Sequence, residues 1–201
     1  MTKINVILGS SRNVSLGKNL LNYLKAHQGE YEQATGAQFN FLEVGSYDLP
    51  FFYEDFAPLN NPDRHLKPNE QKWLDDMNAA DGYVFLTPEY NHSFPAVLKN
   101  AVDYIAGEVN GKPAVIVSYS SNGRGGQFGG LELGPVLTRL GVFILPPQVL
   151  IGSVQDNFAA DGAVLPDAPS GAYYGKKLLQ TAKRIVFYTN LFKDHPFDAN
   201  K

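Results

Sequence analysis

The stretch Gly82-Tyr83-Val84-Phe85-Leu86-Thr87-Pro88-Glu89-Tyr90-Asn91-His92-Ser93-Phe94-Pro95-Ala96-Val97-Leu98-Lys99-Asn100-Ala101 decides the fold, because it closes a strand, builds a polar loop and opens a helix. Gly82 to Leu86 is apolar on both faces, as expected of a parallel strand covered by helices on either side. Phe94, Val97, Leu98, Ala101, Val102 and Ile105 recur at three- and four-residue spacing, which marks an amphipathic helix. Between the two, Pro88 and Pro95 stiffen the backbone, while Glu89, Tyr90, Asn91, His92 and Ser93 offer acceptors, donors and an aromatic face. In an open α/β sheet, ligands bind in such strand-to-helix loops at the carboxyl ends of the strands.

The same alternation extends outward in both directions. Strand-like runs cover Ile4 to Leu8, Phe39 to Val44, Gly82 to Leu86, Ala114 to Tyr119, and Val142 to Leu145 with Val149-Leu150. Helical patterns cover Leu16 to His27, Asn69 to Ala79, Phe94 to Ile105, Gly130 to Leu140 and Tyr173 to Phe192. Five strands and five helices in alternation predict a three-layer α/β/α sandwich on a five-stranded parallel sheet of order 2-1-3-4-5, in a single domain over residues 1–201. Two stretches break the rhythm. Tyr47 to Pro68 carries Phe51, Phe52, Tyr53 and Phe56 among prolines, a rigid aromatic loop that either caps the sheet edge or meets substrate or a second subunit. Gly152 to Gly171 holds Asp161-Gly162 between short apolar flanks, the pattern of a small hairpin or wandering loop.

Composition excludes several classes. Hydrophobic residues make up 44% and charged residues 18%, with no low-complexity tract, so the chain is expected to fold around a substantial core. A net charge of −3 with scattered cations provides no footprint for nucleic acid. The absence of cysteine removes thiolate nucleophiles, thiolate metal sites and disulfide exchange. The apolar Ile4 to Leu8 is too short for a signal sequence, and no later stretch reaches the length of a membrane span, which predicts a soluble cytoplasmic protein.

Two further loops follow strands on the same edge. Gly9-Ser10-Ser11-Arg12-Asn13-Val14-Ser15-Leu16-Gly17-Lys18 precedes a helix, whose amino terminus presents free N–H groups to an anion while Arg12 adds a guanidinium fork. A plain turn with a surface arginine would share that pattern. Gly17-Lys18 is followed by Asn19 rather than Ser or Thr, and no Gly-x-Gly-x-x-Gly follows the first strand, so the two common nucleotide fingerprints are absent. Ser118 to Gln127 contains Gly123, Gly125 and Gly126, which permit close approach of backbone to a flat ligand or simply a flexible turn.

Gly9-Ser10-Ser11-Arg12, Thr87 to Pro95 and Leu98-Lys99-Asn100-Ala101-Val102-Asp103-Tyr104 together resemble the NADPH-dependent FMN reductase family, whose members include quinone, azo-dye and chromate reductases of flavodoxin-like fold. The resemblance spans most of the chain. It implies FMN with its phosphate held by Ser10, Arg12 and the backbone of Leu16 and Gly17, and its ring lined by Pro88, Glu89, Tyr90 and Asn91, with Ser118 and Gly123 completing the pocket. Many members place a polar residue where this chain has Leu16, and Ser15 here is expected to supply the missing hydroxyl. Tyr90, His92, Phe52 and Arg124 are the substrate-facing candidates, with Arg124 or Lys99 for the 2′-phosphate of NADPH.

The implied activity passes electrons from NADPH through FMN to a small acceptor (quinone, azo compound, metal oxyanion or free flavin) in a ping-pong sequence. Flavin carries such chemistry, so no catalytic triad and no metal are required. His27, His65 and His195 are read as solvated, and Asn91 to Phe94 as a run of helix-start amides facing the ring. A homodimer or homotetramer is expected from the resemblance. The alternative is a flavodoxin-like carrier reduced by a partner protein, for which a net charge of −3 provides little steering.

Overall fold

The computed structural model describes residues 1–61 and 63–197, so Pro62 in the aromatic loop and the last four residues of the expected domain lie outside the described residues. Its centre is a parallel sheet built from β1 (Lys3–Leu8), β2 (Gln38–Glu43), β3 (Gly82–Pro88), β4 (Pro113–Tyr119), β5 (Phe143–Ile144) and β6 (Val149–Ile151). The order is β2-β1-β3-β4-β5, with β6 also pairing β4, as the alternation predicts. Prolines 146 and 147 interrupt the last position. Neither has an N–H to give to the ladder, so the expected single fifth strand becomes β5 against Pro113-Ala114 and β6 against Val117 to Tyr119.

Helices cover both faces: α1 (Leu16–Ala26), α2 (Gln28–Thr35), α3 (Pro68–Ala79), α4 (Ala96–Asp103), α5 (Gln127–Arg139), α6 (Val154–Asn157) and α7 (Gly171–Asp194). Strand side chains alternate between two cores. Val6, Leu8, Val84, Leu86, Val115, Val117 and Tyr119 pack with α1, α2 and α7, while Ile7, Phe85 and Ile116 pack with α3, α4 and α5. Ile7 pairs with Phe85 and Phe85 with Ile116 across the sheet, all fully or almost fully buried. Each such side chain contributes roughly 1.5–3 kcal/mol by leaving water.

Several boundaries differ from expectation. α4 starts at Ala96 rather than Phe94, because Pro95 stands in extended conformation at its cap. α2 is an additional helix: only Tyr31 of its eight residues is buried, so it lacks the apolar stripe that a sequence reading relies on. Tyr47 to Pro68 folds as a loop pinned on α4. Asn100 accepts from the Phe52 N–H at 2.8 Å and donates to the Pro50 carbonyl at 2.8 Å, and a two-pronged Arg64 to Glu54 ion pair closes the turn at 2.6 Å. Gly152 to Gly171 contains α6 and a small antiparallel bridge, Phe158 with Val164, around Asp161-Gly162.

Candidate functional site

The loops after β1, β3 and β4 enclose a cleft of about 620 Å³ at the carboxyl edge of the sheet. Arg12, Ser15 and Leu16 line it from the first loop, Pro88, Glu89 and Tyr90 from the second, and Ser120, Asn122, Arg124 and Gly126 from the third. At the first loop Ser15 is the extended cap of α1, its Oγ accepting from the Gly17 N–H at 3.2 Å, which satisfies one of the free donors of the helix start. Ser10 is buried behind the cleft wall, where its hydroxyl lies 3.2 Å from that of Tyr90. The Arg12 N–H reaches Ser10 Oγ at 3.5 Å, and its guanidinium stands 5.9 Å from the centroid of the Tyr90 ring. Arg12 and Tyr90 thus place a fixed positive charge and an aromatic face side by side.

The second loop is a two-residue hairpin turn. Tyr90 and Ser93 exchange backbone bonds at 2.8 and 3.0 Å, with Asn91 and His92 between them at φ of 50° and 63°. Paired left-handed residues are what the right-handed twist of such a turn demands, and Asn and His tolerate them better than most side chains. The expected run of helix-start amides over Asn91 to Phe94 is therefore absent, since α4 begins later and the Ser93 N–H is spent within the turn. Glu89 Oε2 accepts from the Phe128 N–H at 3.0 Å, a carboxylate at the positive end of α5. Its other oxygen lies 4.0 Å from His92 Nδ1, and the exposed His92 ring packs on Phe128.

In the third loop Gly125 and Gly126 both sit at positive φ, and a Cβ on Gly126 would overlap the Tyr119 carbonyl. Ser118 faces inward: it donates to the Gly125 carbonyl at 2.8 Å and accepts from Gln148 at 2.8 Å, tying the loop from beneath rather than lining the cleft. Gly123 is exposed beside Gly152 and is likewise outside the lining. Phe52 is placed elsewhere. Its N–H is held by Asn100 and its ring packs edge-on against Tyr104 at 5.4 Å, so it does not line this cleft. Gly17 packs against Tyr119 beneath the cleft, and Asn91 and His92, in the turn beyond Tyr90, are not among the residues that line it.

Tyr119 also lines the cleft, a residue that sequence reasoning placed at the end of the fourth strand and the start of the third loop without giving it a role in the site. The register contained the signal: it follows Val115 and Val117 at a period of two, and so points into the α1 layer. It is 2% exposed, with no hydrogen-bond partner for its hydroxyl among the described residues, and burial pushes its phenol well above the ordinary range. No group of three His, Cys, Asp or Glu side chains suited to a metal occurs among the described residues.

A family model described as NADPH-dependent FMN reductase matches residues 2–156. The chain belongs to that family. A NAD(P)H-dependent FMN reductase of Schizosaccharomyces pombe is 30% identical over 194 residues, covering 96% of this chain and 92% of the relative. A 2-hydroxy-1,4-benzoquinone reductase of a Burkholderia species is 28% identical, covering 82% and 86%. The fold is shared with the NAD(P)H:(acceptor) oxidoreductase FerB of Paracoccus denitrificans, at a TM-score of 0.71 and 24% identity over 94% of this chain and 98% of that one. This member of the FMN reductase family is an oxidoreductase, with FMN as cofactor and NAD(P)H as donor.

The residues present fit that cofactor. An arginine and a serine-capped helix start meet at the cleft, the donors an organic phosphate requires. Pro88 and Tyr90 add flat, largely apolar wall beside them.

Proposed function

We propose that FMN lies in this cleft with its phosphate on Ser10, Arg12, Ser15 and the backbone of Leu16 and Gly17, and its ring against Pro88, Glu89, Tyr90 and Asn91. When bound, FMN takes two electrons from NAD(P)H and releases them to the acceptor. The convergence of Arg12, the Ser15-capped start of α1 and Tyr90 on one cavity carries this reading. Ser118 and Gly123 act on it at one remove, by shaping the third loop.

The remaining chemistry is positioning. Tyr90 offers a ring for a planar nicotinamide or quinone, its hydroxyl oriented by Ser10. His92, backed by Glu89 and Phe128, sits where it can donate to an acceptor carbonyl entering from the rim. Arg124, on the cleft wall and exposed, suits the 2′-phosphate of NADPH. Donor and acceptor then use the same open face in turn, a ping-pong order. The acceptor class favoured by the Tyr90 ring is the quinones, with azo compounds, metal oxyanions and free flavin as further acceptors.

The assembly is a homodimer or homotetramer, supported by an apolar groove of about 780 Å³ between α4 and α5 that includes Leu59, Ile105 and Val136. None of the described helices is long and apolar enough to cross a membrane, and the reading places the enzyme in the cytoplasm. Initial rates with NADPH and a benzoquinone test the function. Parallel double-reciprocal lines are expected; intersecting lines contradict the shared face, and absence of turnover favours a carrier reduced by a partner protein.

A further inference from the structure

Tyr119 is left without a task by the placements above. Its ring fills the core layer between the sheet and α1, on the same face of β4 as Val115 and Val117, and a phenylalanine would fill the same space. The hydroxyl is nonetheless there, buried and unpaired among the described residues. A buried donor without an acceptor is costly, so such a group calls for an explanation.

Its surroundings point one way. The hydroxyl lies under the first turn of α1, close enough that a Cβ on Gly17 would overlap it. The Ser15 and Ser10 hydroxyls come near it without forming a well-aligned bond, and Tyr90 and Arg12 are the next polar groups around it. Arg12 and Ser15, assigned to the phosphate, line the cleft, Ser10 stands behind it, and Tyr119 forms part of the cleft wall.

We propose that the Tyr119 hydroxyl donates a hydrogen bond to the phosphate of FMN and thereby discriminates FMN from riboflavin. The assignment rests on the phosphate placement of the preceding section. Arg12 and the helix start supply positive potential from the mouth, whereas Tyr119 approaches from the core side and fixes the phosphate in depth. Burial keeps the phenol protonated through neutral pH, so it meets the dianion as a donor rather than as a second anion.

Titration of apoprotein with FMN and with riboflavin, followed by quenching of flavin fluorescence, tests the assignment in wild type and Tyr119→Phe. The variant is expected to raise the Kd for FMN about ten-fold while leaving that for riboflavin within about two-fold. Its apoprotein should melt at the same temperature as wild type or higher, since an unpaired hydroxyl has been removed. Inorganic phosphate should raise the melting temperature of wild-type apoprotein more than that of the variant. Equal weakening of both flavins, unchanged FMN affinity, or a lower apo melting temperature overturns the assignment, the last showing that the hydroxyl serves the fold. A wild-type apoprotein that binds riboflavin as tightly as FMN overturns the phosphate placement itself, and the assignment with it.

Discussion

Arg12 and Ser118 illustrate how side chains in neighbouring loops divide between holding a ligand and holding the loop. Arg12 faces the cleft with its guanidinium beside Tyr90, so Arg12→Ala is expected to weaken FMN binding by about 10- to 100-fold with little change in apo stability, as loss of a charge-assisted contact does. Paired flavin titrations and apo melting curves check both parts. Ser118 should behave in the opposite way. Its buried hydroxyl links Gly125 and Gln148, and Ser118→Ala should cost roughly 1–3 kcal/mol of apo stability in a denaturant series, with FMN affinity following only as the loop loosens. Gly17 belongs with the fold as well as the site. A methyl group there meets Tyr119 and Leu8, so Gly17→Ala should displace the first turn of α1, lower the melting temperature and reduce FMN binding together.

At the scale of elements, Asn100 shows how α4 organises more than its own turn. Its side chain bonds both to Phe52 and to Pro50, and Tyr104 reaches the same carbonyl at 3.0 Å. Asn100→Ala should therefore free the loop around Phe52, visible as faster limited proteolysis there and a loss of about 1–3 kcal/mol. The strands were legible in the sequence because runs such as Tyr83 to Leu86 are apolar on both faces, and that pattern, with the alternation of strands and helices, led to a buried parallel sheet. α2 was not, since a polar helix held by one buried tyrosine has no periodic stripe to read. The break between β5 and β6 was visible as two prolines, yet their effect depends on which ladder bonds the chain would otherwise make. In the site, the polar loops stood out by composition, but the direction of each side chain did not. Ser118 and Phe52 turn into the fold and Tyr119 turns into the cleft wall because of strand register and the grip of α4, both products of tertiary pairing.

The molecule as a whole is a pair of aromatic-rich cores on one sheet, and this has a consequence for pH. Burial raises the phenols of Tyr31, Tyr47, Tyr83 and Tyr119, and pushes that of Tyr104 up to about 12 from its ordinary value near 10. The unfolded chain therefore loses these protons first as pH rises, so their contribution is complete below pH 10 and declines as the pH climbs from about 10 towards 12 and beyond. Melting curves from neutral to strongly alkaline pH should be flat on this account up to about 10 and then fall, with the tyrosinate absorbance of these buried rings appearing only as the protein unfolds. The groove between α4 and α5 makes a second demand at this scale. Leu59 lines it and is exposed, so on the proposed assembly Leu59→Glu should shift sedimentation towards monomer, and a wild type that already sediments as a monomer contradicts that assembly.

The central claim is that one cleft binds FMN and opens it to both NADPH and an acceptor. Anaerobic mixing of FMN-loaded protein with NADPH, followed by addition of a quinone, tests it most directly. The account predicts loss of the oxidised-flavin absorbance on the first mixing and its return on the second; FMN that binds tightly but does not bleach would contradict it.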